Sequence, residues 1–281
     1  MILLAGIFTA LIMFAASLTT SDAGIRRVLH ERAVLIRALV VNVAVVPVLA
    51  FAFRAAFHAT GAFGMGAVLA AVSPGAPFGT FFAGRFRQDV ALAMVLTCGL
   101  TVIALITVPL CSLLIFGPQN MVLFPPGFGL LLVAVVILLP VWLGRVIRLK
   151  WAAAAARIAR IVNLLAFIVL IGANLAASEI RSTGVRSVGW RGSGLILAVV
   201  VASIAAGWLC GTTPRMRATL GTSTGLRNVG LAFLYAEFAF PGTNVAFGVG
   251  AYSFVMLVPS FLFGGIMRLR RARARDVQPA D

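Results

Sequence analysis

Residues 62–84 read AFGMGAVLAAVSPGAPFGTFFAG, an apolar stretch long enough to cross a membrane. Its middle is interrupted by Ser73-Pro74-Gly75-Ala76-Pro77. Proline removes a helical hydrogen-bond donor and clashes with the preceding turn, and glycine favours non-helical backbone. The pattern therefore predicts a transmembrane helix that unwinds near the midplane. Backbone groups freed there cannot face lipid, so they must line a cavity inside the protein.

A second apolar stretch, residues 218–237, is interrupted in the same way by the polar run 222–228, Thr-Ser-Thr-Gly-Leu-Arg-Asn. Matching residues recur 150 positions apart: Ser73 with Ser223, Gly75 with Gly225, and Val108-Pro109 with Val258-Pro259. The two breaks lie in the middle of predicted three-helix units at 34–116 and 193–267, which start on opposite sides of the membrane. This arrangement is typical of the inverted repeats of secondary transporters. The alternative is two kinks that serve packing alone.

The rest of the chain is equally apolar. Of its 281 residues, 62% are hydrophobic and 11% are charged, so most of the surface must face lipid. Apolar runs and their breakers predict nine transmembrane helices, at about 1–20, 34–53, 62–84, 89–116, 122–144, 158–178, 193–211, 218–237 and 243–267. Residues 1–20 are expected to be a mature helix, because no basic segment precedes them.

Lys and Arg outnumber Asp and Glu by 23 to 7, yet the basic residues lie between apolar runs. That placement indicates cytoplasmic loops rather than a nucleic-acid surface. It predicts an external N-terminus, a cytoplasmic C-terminus with a basic tail at 268–281, and the plasma (bacterial inner) membrane as the location.

Arg227 falls within the second break, and all seven acidic residues fall at loops or helix ends. A cation within a membrane span is costly and commonly marks a substrate path. The sequence therefore predicts that Arg227 binds an organic anion, with a purely structural arginine as the alternative. Asn42, alone among valines and alanines, fits either a ligand or a helix–helix hydrogen bond.

Three segments resemble the bile acid:sodium symporter family. The segment 73–80, Ser-Pro-Gly-Ala-Pro-Phe-Gly-Thr, is similar to the family's Cys-Pro-Gly-Gly…Ser-Asn signature, and Asp89-Val90-Ala91-Leu92 follows as in the family. The segment 225–232, Gly-Leu-Arg-Asn-Val-Gly-Leu-Ala, resembles Gly-Met-Gln-Asn-Ser-Gly-Leu-Ala, and 13–22 looks like Met-Gly-Leu…Ser-Asp.

The resemblance implies one membrane domain that works by alternating access. Its panel would comprise the helices at 1–20, 122–144 and 158–178, and its core those at 34–116 and 193–267. Together with the mid-span charge of Arg227, the resemblance predicts substrate-binding residues at Arg227, Asn228, Ser73, Gly75, Thr80 and Asn42. Ser223, Thr224 and Thr97 retain hydroxyl groups that serve as candidate ion ligands.

The chain departs from the family pattern at the sodium sites. Ser223 replaces an acidic ligand, Arg227 replaces Gln, Gly79-Thr80 replaces Ser-Asn, and Ala93 replaces a hydroxyl residue. These changes disfavour ordinary sodium coupling. The expected partners are a small organic anion and the lipid bilayer. No cofactor is expected beyond the disfavoured sodium ion.

Other functions are weaker fits to the residues. An arsenite exporter of related architecture would place a soft thiolate at the first break, where this chain has Ser73 and the nearest thiol is Cys98 in the next helix. An intramembrane hydrolase would need a base beside its nucleophile, yet His30 and His58 lie in loops on opposite sides of the membrane. No enzymatic activity is expected. A membrane sensor that has lost transport remains an alternative.

Overall fold

A computed structural model describes residues 2–117, 126–176 and 178–276 of the chain. Every regular element within those ranges is a helix, and none is a strand. This follows from the apolar sequence, since a helix satisfies all its own backbone hydrogen bonds in lipid. The start of the predicted fifth span, 122–125, and the end of the basic tail, 277–281, lie outside the described residues.

Helices in the first part of the chain are α1 (Ile2–Thr19), α2 (Asp22–His30), α3 (Arg32–Val40), α4 (Val46–Ala56), α5 (Gly61–Ala71), α6 (Pro77–Arg85) and α7 (Val90–Phe116). A π-helical turn at Val41–Val45 joins α3 to α4, so the two form one continuous span. Helix α2 bends away from α1 by 98°. Such π-turns are frequent at functional sites, and this one contains Asn42.

Helices in the second part are α8 (Pro126–Val133), α9 (Leu139–Lys150), α10 (Ala152–Ala176), α11 (Ser178–Cys210), α12 (Pro214–Gly225), α13 (Val229–Ala239), α14 (Val245–Val255) and α15 (Leu257–Asp276). A second π-turn at Ala134–Leu138 joins α8 to α9. The region expected to be a loop before residue 193 is instead part of α11, which is kinked at Gly189 where φ is +63°.

The first predicted break is confirmed. Helix α5 ends at Ala71 and α6 begins at Pro77, which takes the first helical position where no amide donor is needed.

The second break is shorter than predicted. Residues 222–225 belong to α12, and only Leu226, Arg227 and Asn228 are non-helical. Thr222 explains part of the difference, because its hydroxyl donates to the Ala218 carbonyl and so bonds to the helix it was expected to break.

Small residues hold the broken helices against their neighbours. A Cβ atom on Gly66 of α5 would overlap the Val245 carbonyl of α14, and one on Gly248 would overlap the Phe63 carbonyl. A Cβ on Gly207 of α11 would lie 2.6 Å from Thr224 Oγ1 in α12. Helix α1 packs separately against α9 and α10. Close backbone contact through glycine is a common way for membrane helices to associate, and here it sets the positions of both breaks.

Six helices in the described ranges are long and apolar enough to cross a membrane, or seven if α1 and α2 count as one bent span. Large apolar side chains cover their outer faces, such as Leu114 at 74% and Leu175 at 70% exposure. The chain is therefore an integral membrane protein. The count of nine spans, the inverted repeat and the division into panel and core remain predictions.

Candidate functional site

The two breaks meet inside the protein through Asn228. Its backbone amide donates to the Ser73 carbonyl at 2.9 Å, and its side-chain Nδ2 donates to the Gly75 carbonyl at 3.3 Å. Its Oδ1 accepts from the Leu231 amide at 3.1 Å and so caps α13. One side chain thus starts a half-helix and joins the two non-helical segments to each other.

Both the backbone conformation at position 75 and the lack of room for a side chain there require glycine. Its φ of +86° lies in the left-handed region, and an added Cβ atom would lie 2.6 Å from Thr101 Oγ1. The Thr101 hydroxyl oxygen lies 3.2 Å from the Gly75 carbonyl oxygen and 2.7 Å from the Thr97 carbonyl oxygen, so its single hydrogen is shared between these two acceptors. Helix α7 therefore supports the first break from behind.

A group of neutral oxygens lies beside the first break. The hydroxyls of Thr80 and Thr97 are 3.0 Å apart, and Thr97 donates to the Ala76 carbonyl at 3.3 Å. Ser223 approaches from α12, since a Cβ atom on Gly79 would lie 3.0 Å from Ser223 Oγ. That oxygen is buried and makes no hydrogen bond. Hydroxyl and carbonyl oxygens are ligands of hard cations, but no carboxylate hydrogen-bonds to this group in the described structure.

The predicted ion ligands therefore separate into two places. Ser223 and Thr97 lie around the first break, whereas Thr224 Oγ1 accepts from Asn42 Nδ2 at 3.1 Å on the other side of α12. The Ser73 hydroxyl donates to the Leu69 carbonyl of the preceding helix α5 at 2.8 Å. Only the backbone of Ser73 takes part in the crossing.

Arg227 is completely buried, at 0% exposure. Its Nη1 donates to Asn42 Oδ1 at 3.2 Å, while Nε and Nη2 have no hydrogen-bond partner among the described residues. Tyr252 of α14 lies beside the guanidinium and interacts with it electrostatically. The Tyr252 hydroxyl makes no hydrogen bond to the described residues. Asn42 is held in place by a second bond from Nδ2 to the Ala38 carbonyl at 2.8 Å.

Among the described residues the ion pairs lie elsewhere, at Arg27–Asp89, Arg145–Asp22 and Arg148–Asp22. The guanidinium of Arg227 is therefore a buried positive charge without a carboxylate partner. Such a charge is expensive unless a counter-charge or strong hydrogen bonds compensate it.

Two small cavities border the second break, with volumes of about 80 and 60 Å³. Both are lined by Ala5 and Thr9 of α1 and by Asn228 and Gly230 at the start of α13. Arg227 also lines the smaller one. The crossing thus borders space between α1 and the broken helices.

Sequence reasoning missed Tyr252 and Gln88. Tyr252 is one of two tyrosines in the chain and lies in an apolar helix, which could have marked it. Gln88 is buried, and its Nε2 donates to Thr222 Oγ1 at 2.9 Å. The adjacent Asp89 caps α7 and pairs with Arg27 at 2.6 Å. Together these contacts connect α2 and α7 to α12.

The chain was also compared with known proteins. The sodium bile acid symporter family matches residues 6–183, which include the first break, Asn42, Thr80 and Thr97. The second break lies outside the matched range, and no curated protein matches the chain. Because the match covers more than half of the sequence, the chain belongs to the sodium bile acid symporter family, whose members are membrane transporters rather than enzymes.

Proposed function

We propose that this protein is a secondary transporter that moves a small organic anion across the membrane by alternating access, without ordinary sodium coupling. The observation that supports this most directly is the buried, carboxylate-free guanidinium of Arg227 at the crossing of two broken helices. Its unused Nε and Nη2 groups are donors that suit a carboxylate or sulfonate.

The helix directions add to this attraction. Helix α6 begins at Pro77 and α13 begins at Val229, so two helix N-termini start at the crossing. The N-terminal end of a helix carries a partial positive charge and exposed amide donors, which favour anions. A substrate at the crossing would therefore meet two helix ends as well as the arginine.

The same arginine disfavours sodium. Its Nη1 uses the Oδ1 of Asn42, an oxygen that would otherwise suit a cation. At a separation of about 5 Å and an effective dielectric constant of about 20, the repulsion between Arg227 and a sodium ion is roughly 3 kcal/mol, or more than a hundredfold in affinity. We propose that Arg227 supplies the positive charge that a bound sodium ion would otherwise provide.

Uptake by proteoliposomes tests this function. A panel of labelled organic anions is offered to wild type, Arg227→Gln and Arg227→Lys, with and without a sodium gradient. Arg37→Gln is a matched control, because Arg37 is exposed and donates only to the Ala33 carbonyl of its own helix.

We expect wild-type uptake that ignores sodium, is lost in Arg227→Gln, is partly kept in Arg227→Lys and is unchanged in Arg37→Gln. Unchanged uptake in Arg227→Gln would contradict the role of the arginine. Strict sodium dependence would show instead that the oxygens of Thr80, Thr97 and Ser223 suffice to hold the ion.

A further inference from the structure

A larger groove, which adjoins the small cavity near Arg227, lies between α6, α10 and α15 and has a volume of about 710 Å³. Five phenylalanines from the three helices line it: Phe78, Phe81, Phe82, Phe167 and Phe261. Its polar lining residues are Arg85 and Asn163, and Asn163 donates to the Ala159 carbonyl of its own helix. The volume lies in the range of pockets that hold drug-sized molecules.

The groove opens sideways to the bilayer. Leu164 is 60% exposed on α10, and Val258 and Phe261 are 58% and 53% exposed on α15. Both helices belong to candidate membrane spans, so these faces contact hydrocarbon. A largely apolar groove offers ordered water few hydrogen-bond partners, and its natural occupant is an apolar chain.

The groove has a basic end. Phe78 and Leu170 also line the small cavity near Arg227, so they mark the inner end, and Arg85 with Asn163 marks the outer end. On α10, Arg160 and Arg157 lie seven residues before Phe167 and Leu164, on the same helix face and beyond Asn163. On α15, Arg268 lies seven residues after Phe261.

Hydrogen bonds hold these helix ends together. Arg271 of α15 donates to the Phe86 carbonyl at 2.9 Å and to the Arg87 carbonyl at 3.2 Å, just after the end of α6. Cations from three helices thus gather where the apolar groove ends. Among the described residues, the ion pairs involve Arg27, Arg145 and Arg148, and they do not include Arg85, Arg160 or Arg268.

We infer that this groove binds an anionic phospholipid. One acyl chain lies against the phenylalanines, and the phosphate is held by Arg85 with Arg160 and Arg268 beside it. The membrane supplies such a lipid, and basic residues at the membrane surface favour anionic head groups. This site goes beyond the proposed transport function and does not depend on it.

Native mass spectrometry of the detergent-purified full chain tests the site, with phosphatidylglycerol and phosphatidylcholine of equal chain length as probes. Arg85→Gln is paired with Arg26→Gln, which removes an exposed charge on α2, away from the groove. Leu164→Trp, which fills the groove, is paired with Leu165→Trp on the neighbouring helix face.

We expect one tightly bound phosphatidylglycerol, preferred over phosphatidylcholine by about tenfold. The affinity should fall about fivefold in Arg85→Gln, as expected for one arginine near a head group, and binding should disappear in Leu164→Trp. Both control variants should bind as wild type does, and excess inorganic phosphate should not displace the lipid.

Three results would overturn the inference: equal binding of the two lipids, an equal loss in Arg26→Gln, or retention of the lipid in Leu164→Trp. Displacement by inorganic phosphate would also overturn it, because the acyl chain would then contribute nothing. The readout is binding rather than transport, so a failure here leaves the transport proposal standing, and the reverse also holds.

Discussion

Arg227 Nη1 donates a hydrogen bond to Asn42 Oδ1 over 3.2 Å, and this bond joins the second break to the π-helical turn between α3 and α4. Asn42 in turn donates to Thr224 Oγ1 at 3.1 Å, so one amide contacts the second broken helix twice. The arginine is therefore oriented by a neutral partner that leaves its charge uncompensated. A neutral orienting partner leaves the guanidinium free to attract an anion.

Asn42→Ala should destabilise the protein by about 1.5–3 kcal/mol, because the buried guanidinium of Arg227 loses the side-chain oxygen that accepts its hydrogen bond. Asn42→Asp should keep the fold but lower anion uptake, since its carboxylate supplies an internal counter-charge for Arg227. Thermal unfolding in detergent and proteoliposome uptake measure the two effects. An Asn42→Ala variant as stable as wild type would show that the bond contributes nothing.

Gly75→Ala should lower stability by at least about 2 kcal/mol. A left-handed residue with a side chain costs roughly 1–2 kcal/mol, and the added Cβ would also lie 2.6 Å from Thr101 Oγ1. Gly99→Ala on α7 is the control, because its Cβ would meet nothing within 4 Å. Similar melting temperatures for the two variants would argue against the backbone conformation of the break.

Asn228→Ser and Asn228→Ala separate two roles of one side chain. Serine can still accept from the Leu231 amide and cap α13, but it lacks the amide donor that reaches the Gly75 carbonyl. We expect Asn228→Ser to fold nearly as well as wild type and to transport less, and Asn228→Ala to lose about a further 1 kcal/mol of stability. Full transport by Asn228→Ser would mean that the link between the breaks is dispensable.

Asp22 should make the attachment of α2 to α9 sensitive to acid, because it pairs with two arginines of α9. Its hydrogen bond from Arg145 and the nearby charge of Arg148 lower the pKa of the carboxyl below its ordinary value of 3.8. A lowered folded-state pKa means that the stabilisation is fully present above the ordinary value and is lost as the pH falls through the lowered one.

Melting temperatures of wild type and Asp22→Asn should therefore differ by a constant amount from about pH 7 to about pH 4 and converge below that range. Glu31→Gln is the control, since the described structure gives Glu31 no ion pair. A difference that instead widened in acid would contradict the ion pair.

A reporter that works only in the cytoplasm should be active when it is fused to the C-terminus, and a reporter that works only in the periplasm should be inactive there. The prediction follows from the basic residues that cluster between the proposed inner ends of the spans and in the segment after Met267. A periplasmic reading would overturn the proposed topology, in which the N-terminus is external and the C-terminus is cytoplasmic.

The sequence by itself determined that this is a helical membrane protein of the sodium bile acid symporter family and that its first broken helix unwinds just before Pro77. These conclusions follow from local chemistry, because a long apolar run requires lipid and Pro77 cannot continue an existing helix. The second break begins later in the chain than the sequence predicts, and local side-chain chemistry again explains the difference. Threonine side chains can bond within a helix as well as outside it, and Thr222 bonds to Ala218.

Only the tertiary structure decided where the polar side chains point. Arg227 and Asn42 are 185 residues apart, and Ser223 and Thr224 are neighbours that face different groups. The direction of each side chain depends on how its helix is rotated about its own axis, because consecutive helical residues point about 100° apart. The half-helices around the breaks are mostly buried on all sides, so no apolar stripe in the sequence reveals that rotation. Close packing through glycines such as Gly207 sets it instead.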